Sequence, residues 1–183
     1  MIRTNQDDLV VMAVTGFISP PTLDRSPYRP NTEGHAAVHI GMSGIVYNAR
    51  VGSPAYGWEG DHVEPGVSIA HPDSAVDHAM HYLTCIGNDA IVTSGLARGA
   101  RGTVTGEHAR LLVDFEPDVL EQLCVGDQIV IKTHGRGMRL LDFPDVLVKK
   151  AGPNLIAGWG LRQSAAGRLQ VPVVATIPAH IMG

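Results

Sequence analysis

Short apolar runs alternate along this chain with stretches rich in glycine, proline and polar side chains. LVVMAVTGFI (9–18) is dense in β-branched and aromatic residues and predicts a first, buried strand. HAAVHI and GIVYNARVG predict a strand pair around Gly41 and Gly44. AIVTSG, GTVTG and ARLLVDF predict three more strands, and VGDQIVIKTHG another, entered through the turn at Gly126 and Asp127. DVLVKKAGP and LQVPVVATIP supply the later ones. Helical spacing is clearest in SAVDHAMHYLTCIG, where Val76, Met80, Leu83 and Ile86 recur on one face. His71, Pro72, Asp73 and Ser74 offer capping residues before it and Gly87 a stop after it, which predicts a helix over about 74–86. DVLEQLC is long enough for about two further helical turns.

SPPTLDRSPYRPNTEG (19–34) has no periodicity and is long for a loop inside a compact domain. Ordered loops of this length are often lids or wrap a neighbouring subunit, so 19–34 is expected to form a Pro-rich arm. No repeat, heptad or low-complexity tract interrupts the pattern. The expected fold class is α+β, mostly β: a barrel-like or strongly curved mixed sheet with one clear helix and one or two short ones.

Composition narrows this picture. The 183 residues suit a single domain, and 21 glycines with 12 prolines favour short strands joined by tight turns over a helical bundle. With 44% hydrophobic and only 17% charged residues, the solvated surface is small for a lone monomer, which predicts a partner chain or an oligomer. A net charge of −4, with no basic face interleaved with aromatics, argues against nucleic acid as a partner. No apolar run reaches the ~20 residues of a membrane span, and MIRTNQDDLV does not read as a signal peptide. A cytoplasmic protein is expected. Cys85 and Cys124 sit in apolar contexts without metal or redox spacing and read as buried, reduced thiols.

The densest polar cluster is YNARVGSPAYGWEGDHVEPG, which holds Asn48, Arg50, Glu59, Asp61, His62 and Glu64 on a strand end and the Gly/Pro-rich loop after it. His62 beside Asp61 and Glu64 has the make-up of a general base oriented by a carboxylate; a solvated loop is the plainer alternative. Asp77, His78 and His81 lie on the predicted helix, but HxxH alone lacks the ligand set of a zinc site, so no metal is assigned. In SGLARGARGTVTGEH, glycines surround Arg98 and Arg101, and two guanidinium groups there could converge on a carboxylate or phosphate. The alternative is a glycine-rich hairpin with exposed arginines. THGRGM places His134 at a strand end that could face the same mouth. No GxSxG elbow is present, and no cysteine is spaced for a histidine partner, so the chain offers no convincing nucleophile of its own.

GIVYNARVGSPAYGWEGDHVEPGVS, together with LVVMAVTG, GARGTVTGEH, VGDQIVIKTHGRGM and PAHIMG, resembles an uncharacterised bacterial and archaeal family catalogued as domain of unknown function four-four-three-eight. The similarity covers most of the chain. The family implies no established activity and supplies no catalytic assignments. Its members are longer, continuing past the PAH-hydrophobic-MG segment into small and hydroxyl residues.

That resemblance frames the functional expectation. The apolar run VPVVATIPAHIMG and the missing nucleophile fit the larger, N-terminal portion of a self-cleaved precursor, an amide-bond hydrolase whose nucleophile is the first residue of a companion chain. Gly183 would be the processing boundary, where the lack of a Cβ allows close attack, and His180 would assist proton transfer. Asn48, Asp61, His62 and Glu64 would line the site, and Arg98, Arg101 and His134 would hold a substrate carboxylate. No cofactor is expected; a close variant places a pyruvoyl group on the companion chain and acts on an amino acid. The alternatives from other classes are a non-catalytic oligomeric module binding a small anion and, third, a metal enzyme using His62, His78 and His81.

Overall fold

The computed structural model describes residues 2–22, 28–30, 33–38, 44–47, 65–173 and 176. In chain order the strands begin with β1 (Met12–Ile18), β2 (Tyr28–Pro30), β3 (Ala36–Val38), β4 (Ile45–Val46) and β5 (Gly66–Ala70), followed by helix α1 (Ser74–Leu83). Then come β6 (Asp89–Val92), β7 (Arg101–Glu107), β8 (Leu111–Asp114), α2 (Pro117–Leu120) and β9 (Gln128–Thr133). Helix α3 (Pro153–Gly158) and the small pair β10 (Arg162–Gln163) and β11 (Leu169–Gln170) complete the described elements.

The expected barrel is present. Strands run β1–β9–β6–β7–β8–β5, and β5 pairs back on β1, so six antiparallel strands close on themselves. Closure depends on β5 changing partner along one edge: Gly66 and Val67 pair with β4, whereas Ile69 and Ala70 pair with β1. Period-2 alternation fills the interior. Ile129, Ile131 and Thr133 of β9 are buried while Lys132 is exposed, and the two isoleucines meet Ile18, Val67, Ile69, Val104 and Val113 in one core. Each fully buried side chain of this kind contributes roughly 1.5–3 kcal/mol.

Helix α1 starts where the sequence predicts. The Asp73 carboxylate accepts from Ala75 N at 2.8 Å and Val76 N at 3.1 Å, satisfying two amides the helix leaves unpaired. Only Met80 of its predicted apolar face is buried; Val76 is exposed. Met80 packs against β1 because position 16 is glycine: a Cβ there would lie 2.4 Å from Ile69 Cγ2 and 2.7 Å from Met80 Sδ.

Several local expectations need correction. The helix ends at Leu83, not near 86, because Thr84 turns extended and Ile86 bridges to Ala151. Strand β1 is buried only in its second half; Val10, Val11 and Met12 are exposed. Among the described residues, GIVYNARVG and HAAVHI are not partners: β3 pairs with β2, inside the Pro-rich 19–34 segment, and β4 pairs with β5. DVLEQLC makes one turn, since the Cys124 amide goes to the Asp127 carboxylate at 2.9 Å. DVLVKKAGP forms only single bridges at Leu147 and Ala151, broken by Lys150 at φ 54°. Among the described residues, LQVPVVATIP pairs only at Leu169 and Gln170, and Val171 and Val173 are exposed. Cys124 is likewise exposed, unlike Cys85, because it lies in the turn before β9.

Candidate functional site

A cavity of about 280 Å³ lies against the outer face of β7 and β8. Strand periodicity builds its wall: Arg101, Thr103 and Thr105 are two residues apart and share one face, opposite the buried Val104. Thr103 pairs with Asp114 across β7 and β8, which brings that carboxylate to the same face. The pairing slips between Val104 and Gly106, leaving Thr105 as the extra residue of a bulge. Phe115, Glu116 and Leu120 close the cavity from the side of α2. Gly102 leaves room for the ring: a Cβ there would stand 2.6 Å from Phe115 Cε1.

The charged side chains in this cavity are not bonded to one another among the described residues. Among the described residues, the side chains of Arg101, Asp114 and Glu116 make no ion pair or hydrogen bond, although all three line the same space. Thr105 Oγ1 is buried and has no hydrogen-bond partner among the described residues. A guanidinium fork matches the geometry of a carboxylate or phosphate, so Arg101 is the group here that an anion would meet.

Tyr47 also lines this cavity. It follows β4, whose Val46 pairs with Gly66 of β5. Tyr47 and Pro65, the described residues flanking positions 48–64, therefore stand at the same end of the β4–β5 pair. The predicted site residues Asn48, Asp61, His62 and Glu64 fall in 48–64 and lie outside the described residues, as do His180 and Gly183. Of the predicted anion-binding groups, Arg101 alone lines this cavity. Arg98 is exposed on the turn between β6 and β7. His134 borders a different cavity of about 240 Å³ with Asp8 and Arg136, its backbone clamped by Asn88 (Nδ2 donates to His134 O at 2.7 Å) and its Nε2 3.1 Å from Gln6 O.

A second polar cluster joins α1 to β7. His81 Nδ1 is 2.9 Å from Glu107 Oε1, its Nε2 is 3.8 Å from Asp77 Oδ2, and Lys150 donates to Glu107 Oε2 and to His81 O. Asp77 and His81 lie on the helix that the sequence predicts; Glu107 and Lys150 carry no signal there, since nothing in their spacing links them. His78 is exposed, and no group of metal-binding side chains occurs among the described residues. Cys85 is buried, and burial pushes its thiol up, away from the thiolate a nucleophile needs.

The cavity residues missed in the sequence were Tyr47, Thr103, Thr105, Asp114 and Glu116. The RGTVT alternation held part of the signal, because it sets both threonines on the face of Arg101 once GTVTG is read as a strand.

Comparison with known proteins adds a family but no chemistry. The profile of the family described as domain of unknown function (DUF4438), N-terminal, matches residues 28–157. A crystal structure of TM1086 is similar over 98% of this chain, at 49% identity and a TM-score of 0.87. The chain spans 64% of the length of that solved protein. No curated protein matches. Among the described residues, no helix is long and apolar enough to cross a membrane.

Proposed function

We propose, starting from the fact that this chain belongs to the DUF4438 family, that it is the substrate-binding part of an enzyme that holds a small carboxylate-bearing molecule at Arg101. One observation carries the reading: the Arg101 guanidinium lines a cavity and has no counter-charge bonded to it among the described residues. A carboxylate would accept two parallel hydrogen bonds from such a fork. Tyr47, the residue before positions 48–64 in sequence, lines this cavity, and in this reading Asn48, Asp61, His62 and Glu64 belong to the same site. There His62 would act as general base beside a carboxylate.

The reaction in this reading is hydrolysis of an amide-type bond, with the nucleophile on a companion chain from the same precursor. One observation favours a nucleophile from outside the described residues: they offer no activated thiol at Cys85, which is buried with its thiol pushed up.

The test is carboxylate binding followed by NMR, with butyrate and isocaproate as probes. Arg101→Met should weaken binding about tenfold, as expected for loss of a charge-assisted pair, and Arg98→Met should leave it unchanged. Equal affinity in Arg101→Met, or no binding to the folded wild type, overturns the reading. Intact mass of the product of the complete reading frame tests the companion: one uncleaved chain would overturn the self-processing step and leave a binding module.

A further inference from the structure

Arg101 is not alone in its cavity. Asp114 and Glu116 line the same space and, like Arg101, carry no ion pair or hydrogen bond among the described residues. Opposite charges sharing a small cavity would ordinarily pair with one another, and bidentate arginine–carboxylate geometry is the favoured outcome. Here no ion pair or hydrogen bond joins them among the described residues, although they line one cavity. A simple anion would gain from Arg101 and lose to two nearby carboxylates, whose like charge opposes it.

The ligand that fits both signs carries both. We infer that the Arg101 cavity takes a zwitterion of the amino-acid type: its carboxylate on Arg101, its ammonium toward Asp114 and Glu116, and its apolar part against Phe115 and Leu120. Both apolar residues are buried and line the cavity. The volume of about 280 Å³ suits a molecule of roughly ten heavy atoms. Thr103, paired with Asp114, adds a hydroxyl on the same face. This inference rests on the proposed role of Arg101 and names the substrate class for it.

Calorimetry on the full chain with three probes of one skeleton separates the two claims. L-Leucine carries both charges, isocaproate only the carboxylate, and isoamylamine only the ammonium. Leucine should bind about tenfold more tightly than either, since each partly exposed charge-assisted contact is modest and tenfold is ~1.4 kcal/mol. Asp114→Asn and Glu116→Gln, made singly to preserve shape, should each reduce the leucine advantage and leave isocaproate binding equal or stronger. If isocaproate binds as well as leucine and Arg101→Met abolishes both, the zwitterion inference is overturned while the carboxylate reading stands. If isoamylamine binds best, or no probe binds the folded protein, both fail.

Discussion

Glu107 Oε1 and His81 Nδ1 stand 2.9 Å apart, joining β7 to α1 across 26 positions of sequence. The other oxygen of Glu107 accepts from Lys150, whose backbone holds the left-handed conformation at φ 54°. One carboxylate thus ties the barrel, the helix and the chain segment before α3. Burial works against its ionisation, but hydrogen bonds from Lys150 and His81 outweigh burial and hold the carboxyl below its ordinary value of 4.5.

Because that pKa is lower in the folded state, ionised Glu107 favours folding. Its contribution is complete above the unfolded value and is lost as pH falls through the lowered folded one. Glu107→Gln should cost about 1 kcal/mol near neutral pH, a modest figure because the group is partly exposed. The cost should shrink in acid. Urea denaturation of both proteins at neutral pH and at acid pH checks this; a difference that does not change with pH would show that the charge contributes nothing.

Gly16 is set by contact, with a Cβ at that position meeting Ile69 and Met80. Gly16→Ala should therefore destabilise by about 1–3 kcal/mol through overpacking. Gly158, in α3, has nothing within 4 Å of a built Cβ, so Gly158→Ala should be neutral or stabilise by up to about 1 kcal/mol. Thermal unfolding should show a lowered Tm for Gly16→Ala and an unchanged or raised one for Gly158→Ala.

The Asp127 side chain is buried and accepts from Cys124 N at 2.9 Å and Ser94 Oγ at 3.3 Å, joining the turn before β9 to the end of β6. Asp127→Ala leaves the Cys124 amide without its acceptor and should cost about 1–3 kcal/mol. Chemical denaturation measures it directly, and Asp127→Asn, which keeps an acceptor oxygen, should retain part of the loss.

The two thiols should behave differently. Cys124 is exposed, whereas Cys85 is buried with its thiol pushed up. A disulfide reagent should titrate one thiol in the native protein and both in denaturant. Rapid native reaction of Cys85 would mean that the turn at Gly135, which packs against its sulfur, opens far more readily than its burial suggests.

The barrel was legible because its strands are local. VGDQIVIKTHG shows both its turn and its inward alternation, and Asp73 announces its helix through a cap formed within three residues. Strand partners were less legible. Nothing in HAAVHI indicates that it pairs with Tyr28–Pro30 and not with GIVYNARVG, since pairing is decided by long-range closure. Arg101 was found because its glycine-rich context marks it, while Asp114 reaches the same cavity only through its register with Thr103. The Glu107–Lys150 contact depends on a turn of backbone at Lys150 that its residue type does not favour.

Strand β1 is seamed on one side to β9 and on the other to β5. A ribosome therefore delivers the first stave of this barrel more than a hundred residues before the last, and the ring cannot shut until Thr133 has left the exit tunnel. Until then the apolar second half of β1 must wait, either collapsed on β5 or sheltered by a chaperone. Such distant pairing is slow to form. Synthesis rate, and not only final stability, should govern how much of this protein reaches its native state.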